Sequence, residues 1–262
     1  MTRAPRLAWR RASADSRFLP HFVIVGAQRA GTSSLYSWLC GQPSVKPALK
    51  KEIHYFDVHY NKGERWYRSH YFLQRDGVIT GEASPYMLFH PLAPQRAAAD
   101  LPATTKFIVL LREPVSRVVS QYWHEKSTGF ESETFERAIA LEDERLRGAE
   151  EIVAAGGRSV AHQHFSYVAR SEYAAQLERW YDAVSRERLL VVESERMFAD
   201  ASVAAGVLEW LGFTACEEPF PVKNRAPRAS KPDDEVIKGL QRHFQPFNQQ
   251  LFELLGRKLW LG

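Results

Sequence analysis

The stretch Phe22-Val-Ile-Val-Gly26-Ala-Gln28-Arg29-Ala30-Gly31-Thr32-Ser33-Ser34-Leu35 gathers residue types that can hold an anion. An apolar run over 22–25 passes into a loop bounded by Gly26 and Gly31, and a segment of helical spacing follows at once. Such a loop turns successive backbone N–H groups toward one point, and the start of the helix adds positive potential there. Thr32, Ser33 and Ser34 bring hydroxyl donors, and Arg29 brings a permanent cation suited to phosphate. A second strand end has the same character. In Leu111-Arg112-Glu-Pro114-Val-Ser116-Arg117-Val-Val-Ser120, Arg112 sits at the strand edge, and Ser116 and Ser120 share one helical face. Arg112 and Ser120 can grip a second phosphate. Two cradles suit a ligand whose phosphate groups are separated.

The first cradle has the outline of the triphosphate loop G-x-x-x-x-G-K-[ST], with Thr32 where that loop needs Lys. The strand over 107–111 ends in Arg112 and not in a magnesium-binding Asp. Magnesium–triphosphate chemistry therefore lacks two of its parts, which counts against a P-loop kinase or NTPase, the first alternative. A basic nucleic-acid-binding module is the second. The net charge of +4 is too small to carry it, and no nucleic-acid partner is expected.

The elements that must position these groups follow from periodicity. Apolar runs at 22–25, 78–80, 107–111 and 189–192 read as buried parallel strands. Helical spacing occupies 32–39, 64–72, 114–126, 171–184, 200–211 and 233–255, the last two opening on Asp caps and the third on Pro114. Pro246 is expected to kink or break the last helix. Alternating strands and helices predict an α/β fold with a central parallel sheet. The chain of 262 residues, 45% hydrophobic and 25% charged, fits one domain over 21–262 behind a basic, solvated arm over 1–20 carrying Arg3, Arg6, Arg10, Arg11 and Arg17. No run approaches the ~18 apolar residues of a membrane span. The two cysteines, Cys40 and Cys216, offer neither a disulfide framework nor a metal motif, which suits a reducing compartment. Trp66, Tyr67, Tyr71 and Phe72 form a core stripe, Trp180, Trp210 and Trp260 read as packing, and His162 and His164 lack a metal-ligand pattern. His59 and Tyr60 are candidates to line an acceptor cleft, while Trp123 and His124 read as structural.

The pair G-x-x-[RK]-x-G-T-[ST] and L-R-[DEN]-P-x-x-R-x-x-S-x-Y resembles the sulfotransferases that use 3′-phosphoadenosine 5′-phosphosulfate (PAPS), and more narrowly their heparan-sulfate type and its bacterial relatives. The likeness extends from Phe22 to the C-terminus and includes Lys51-Glu52-Ile-His54-Tyr-Phe-Asp57, Gly63-Glu-Arg-Trp-Tyr67 and Gly81-Glu-Ala-Ser-Pro85. It implies a P-loop-like three-layer fold with helices flanking a central parallel sheet. It also implies that Gln28, Arg29, Ala30, Gly31, Thr32, Ser33 and Ser34 bind the 5′-phosphosulfate, with Arg29 at the position of the family's catalytic cation. Arg112 and Ser120 would bind the 3′-phosphate, and Glu52 would be the general base, with His54 as its understudy. Sulfuryl transfer is an in-line displacement at sulfur that needs positioned cations and a proton acceptor, and no metal. The acceptor would be a hydroxyl, or less readily an amine, of a saccharide or natural product. Two departures stand out: Ala83 replaces a Lys common after the Gly-Glu pair, and the late basic loop reads Lys223-Asn-Arg225-Ala-Pro-Arg228, without its Gly. Arg225 and Arg228 are assigned to the nucleotide there. The Cys pair of Golgi members is missing, so a cytoplasmic bacterial member is expected.

Overall fold

The computed structural model describes residues 9–213, 220 and 232–260. Five strands form one sheet: β1 (Phe22–Gly26), β2 (Val45–Pro47), β3 (Ile79–Ala83), β4 (Lys106–Leu111) and β5 (Leu189–Glu193). Their order is β2-β3-β1-β4-β5, and every neighbouring pair is parallel. β1 is buried throughout and β4 at all but its first residue, because helices cover both sheet faces; hence their unbroken apolar runs. The chain leaves β1 toward β2 on one side and leaves β4 toward β5 on the other. Between these neighbours lies the topological switch point, where open parallel sheets bind ligands at their C-terminal ends.

The helices include α1 (Thr32–Leu39), α2 (Glu64–Arg68), α3 (Ala93–Asp100) and α4 (Pro114–Thr128). Four short helices follow: α5 (Phe135–Ala140), α6 (Glu142–Leu146), α7 (Ala149–Ala154) and α8 (Val160–His164). The last are α9 (Tyr173–Ala183), α10 (Ser194–Ala199), α11 (Ala201–Leu211) and α12 (Asp234–Leu255). The expected caps form: Asp200 accepts from Ser202 N at 2.9 Å and Asp233 from Glu235 N at 2.7 Å. The main core wraps the sheet, and a second cluster joins one face of α4 to Phe135, Tyr167, Leu240 and Phe244. None of the helices among the described residues is long and apolar enough to cross a membrane.

Several expectations need correction. β2 is an edge strand with two of three residues exposed, so no apolar run announces it. α2 stops at Arg68, where the chain tightens into i→i+3 turns (His70 N donates to Tyr67 O at 3.0 Å and Tyr71 N to Arg68 O at 2.9 Å) and Ser69 Oγ donates to Trp66 O at 2.6 Å. Arginines pin the segment that follows: Arg10 Nε donates to Ser69 O at 2.6 Å and Arg17 Nη1 to Tyr71 O at 2.9 Å. By the same contacts residues 9–20 are not a solvated arm; Arg10 and Arg17 are buried. Pro246 does not break α12, which runs through it. Pro246 faces solvent, where water can satisfy the carbonyl its missing N–H leaves free. Tyr67, Tyr71 and Trp180 are fully buried, as their spacing predicted.

Candidate active site

The loop after β1 is held in an unusual backbone path. Arg29 has φ 72° and Gly31 has φ 90°, both in the left-handed region, and a Cβ on Gly31 would lie 2.6 Å from the Phe198 ring. Ser194 Oγ fixes the path by donating to Ala30 O at 2.8 Å, and Arg170 by donating to Gln28 Oε1. Thr32 and Ser34 are buried at the start of α1, while Ser33 is exposed. The two cradles meet. Arg29 Nε donates to Ser120 Oγ at 3.3 Å, and Arg112 Nη1 donates to Arg29 O at 3.0 Å. Glu113 caps α4, accepting from Val115 N at 2.9 Å and Ser116 N at 2.7 Å. Those N–H groups are thereby occupied, which leaves side chains such as Arg112 and Ser120 as the groups there with donors to offer an anion. Arg117 is fully buried and ties α4 to the segment before α9, with Nε on Ser171 Oγ at 2.5 Å and Nη1 on Gln121 Oε1 at 2.6 Å. Arg225 and Arg228 lie outside the described residues.

Glu52, His54 and Asp57 form a relay across from this loop. Glu52 N donates to Ala83 O at 3.1 Å and His54 N to Ser84 Oγ at 3.2 Å, which stitches the segment to the end of β3. Glu52 and His54 themselves take φ 60° and 57°. Left-handed backbone at non-glycine residues persists only where the surroundings over-determine it. His54 Nδ1 lies 2.9 Å from Asp57 Oδ2, and its Nε2 lies 3.7 Å from Glu52 Oε2. Glu52 also pairs with Lys51. His54, aided by Lys51 and opposed by burial, holds the Glu52 carboxyl down at about 2. Burial works against a charged His54, but Asp57 and then Glu52 outweigh it and raise the imidazole to about 10. The pair is therefore carboxylate and imidazolium at neutral pH.

Sequence reasoning missed the supports. Glu82 is fully buried and accepts from Tyr67 Oη at 2.6 Å and from Ser84 Oγ at 3.1 Å. Burial pushes its carboxyl up to about 7. The Gly81–Pro85 motif contained both Glu82 and Ser84, and that was the available signal. A cavity of about 140 Å³ opens beside the relay, lined by Glu52, His54, Tyr86, Glu125 and His164 among others. His124 also lines it, beyond the structural role its sequence suggested. His59 and Tyr60 do not; the His59 ring packs on Trp66 at 5.2 Å and Tyr60 Oη donates to Asp100 at 3.3 Å. His162 Nδ1 meets Tyr86 Oη at 2.7 Å, and His164 Nδ1 meets Glu125 Oε2 at 2.9 Å. Among the described residues no group of three or more His, Cys, Asp or Glu can hold a metal ion.

The profile of the sulfotransferase domain matches residues 19–221. The chain belongs to the sulfotransferase domain family. This sulfotransferase-family chain is 28% identical over 275 residues to human heparan sulfate glucosamine 3-O-sulfotransferase 3B1, covering 94% of itself and 65% of that relative. It is 28% identical over 278 residues to human heparan sulfate glucosamine 3-O-sulfotransferase 3A1, covering 94% of itself and 64% of that protein. It thus spans less than two thirds of the length of these curated relatives. The crystal structure of a sulfotransferase from Alicyclobacillus acidocaldarius superposes with a TM-score of 0.77 at 27% identity, over 92% of this chain and 98% of that one. The three-layer fold expected from sequence is the fold of that neighbour.

Proposed function

We propose that the chain transfers a sulfuryl group from PAPS to an acceptor hydroxyl, with Glu52 as general base. One observation carries the reading: the two anion cradles converge through Arg29, Ser120 and Arg112, and the Glu52–His54–Asp57 relay stands beside a cavity able to admit an acceptor. The donor set fits the nucleotide, since guanidiniums and hydroxyls at a loop–helix junction suit phosphate and sulfate groups. Arg29 opposes the charge that grows on the bridging oxygen as the sulfur–oxygen bond breaks, and Arg112 with Ser120 holds the 3′-phosphate. The acceptor oxygen forms the new bond to sulfur, and its proton passes to Glu52. A carboxylate at about 2 is a weak base, so the proton moves late, once bonding to sulfur has made the hydroxyl acidic.

Thermal unfolding with 3′-phosphoadenosine 5′-phosphate, AMP and ATP–magnesium tests the donor site. A bound ligand at about 100 times its Kd adds about 2.7 kcal/mol, a rise of roughly 5–10 °C for a domain of this size. The bisphosphate should give that rise and AMP little of it. A rise with ATP–magnesium alone would turn the reading into a kinase. Glu52→Gln should keep the bisphosphate shift while kcat falls by about 10²–10⁴.

A further inference from the structure

Resting on that reading, we infer that the reacting unit of the acceptor is a polyhydroxylated ring without carboxylate or sulfate groups, and that one of its hydroxyls donates to Glu125. Glu125 is 1% exposed and lines the cavity beside Glu52. Its Oε2 is taken by His164 Nδ1 at 2.9 Å, whereas its Oε1 is buried with no hydrogen-bond partner among the described residues. A buried carboxylate oxygen left unpaired is costly, and a hydroxyl brought into the cavity can supply the missing donor. That partner must be a donor, because an ionised carboxylate only accepts.

The rest of the cavity agrees. It presents two carboxylates, Glu52 and Glu125, and no Lys or Arg among its described lining residues; the His54 imidazolium among them already lies between Glu52 and Asp57. Of the cations nearby, Lys51 pairs with Glu52, and Arg29 is assigned to the phosphosulfate of the donor. An anionic substituent beside the reacting hydroxyl would face like charges in a partly desolvated space. At the rim the half-exposed Phe130 ring lies flat on the His164 ring, with centroids 3.6 Å apart and planes within 12°. This pair presents an apolar face next to the polar anchor, the combination small-molecule sites use to orient a ligand.

The test is sulfuryl transfer from PAPS to a neutral glucose oligosaccharide and to its counterpart oxidised to a carboxylate at C6 of the reacting unit. The native protein should favour the neutral acceptor at least 10-fold in kcat/KM. Glu125→Gln should raise KM for the neutral acceptor about 10-fold with kcat within about 3-fold, and should narrow the preference between the two acceptors. Equal or better transfer to the carboxylate, an unchanged KM in Glu125→Gln, or transfer to neither acceptor would overturn the inference. If Glu125→Gln fails to fold, the acceptor preference of the native protein decides alone. Stabilisation by 3′-phosphoadenosine 5′-phosphate, measured on the same preparation, separates this failure from a failure of the donor reading.

Discussion

Ser84→Ala removes one oxygen from a buried strut. Ser84 Oγ donates to Glu82 Oε2 at 3.1 Å and accepts from His54 N at 3.2 Å, and both Ser84 and Glu82 are fully buried. The change deletes a hydrogen bond to a carboxyl group and leaves the His54 N–H without its acceptor. Together these amount to about 2.5–6 kcal/mol, since charged hydrogen bonds contribute about 1.5–3 kcal/mol and an unsatisfied buried donor costs about 1–3 kcal/mol. The melting temperature should fall by roughly 5–24 °C. The strut also holds Glu52 and His54 in left-handed backbone, so its loss lets the proposed base move. A shift of about 1 Å in a catalytic group costs ~10²-fold, and kcat should fall by that order. Among the described residues Ser84 Oγ bonds to Glu82 and His54 and not to the loop after β1, so binding of 3′-phosphoadenosine 5′-phosphate, followed by calorimetry, should stay within about 2-fold. A lowered melting temperature with kcat within 3-fold of native would show that the strut supports the fold and not the site. An unchanged melting temperature would refute the hydrogen-bond argument itself.

Three further outcomes follow. Gly31→Ala places a Cβ 2.6 Å from the Phe198 ring at φ 90°; strain and overpacking should cost about 2–5 kcal/mol, read by chemical denaturation, and a loss under about 1 kcal/mol would contradict the loop path. Arg112→Gln should weaken 3′-phosphoadenosine 5′-phosphate by at least ~10-fold and leave AMP nearly unchanged; equal losses for both would remove Arg112 from the 3′-phosphate. The relay gives stability a pH window. Glu52, lowered from 4.5 to about 2, contributes above pH 4.5 and loses that contribution as pH falls through 2. His54, raised from 6.5 to about 10, contributes fully below pH 6.5 and loses it as pH rises through 10. The melting-temperature advantage of the native protein over His54→Gln should therefore decline between pH 6.5 and 10, and a flat difference there would be decisive against the imidazolium.

The parts of this protein that were legible in the sequence are those whose cause is local. β1 and β4 read as strands because burial on both faces forces apolar runs, and the donor loop reads as a cradle because its groups are contiguous from Gly26 to Ser34. The supports are not local. Arg170 reaches Gln28 across 142 residues, and His164 reaches Glu125 across 39. A carboxylate inside a strand, such as Glu82, carries no mark of its Tyr67 and Ser84 partners, and in isolation it reads as a surface charge. β2 escaped because an exposed edge strand needs no hydrophobic pattern, and Pro246 misled because its helical position faces water.

The partners chosen by the buried arginines are consistent with the proposed anionic donor. Arg117 donates to Ser171, Gln121 and the Tyr167 carbonyl, and Arg170 to Gln28, Ser166 and the carbonyls of His162 and Gln163. Neither makes an ion pair among the described residues, and Arg29 likewise is held by a hydroxyl. Buried cations usually meet carboxylates, because an uncompensated charge is expensive to desolvate. Neutral acceptors orient a guanidinium without cancelling its field, which Glu125 and Glu142 offset only from beyond hydrogen-bond reach. The carboxylates stand on the other side, at Glu52 and Glu125 in the cavity. This division of charge is consistent with the proposed reaction: an anionic donor is drawn to the guanidiniums, and the hydroxyls of a neutral acceptor find hydrogen-bond acceptors in the carboxylates of the cavity.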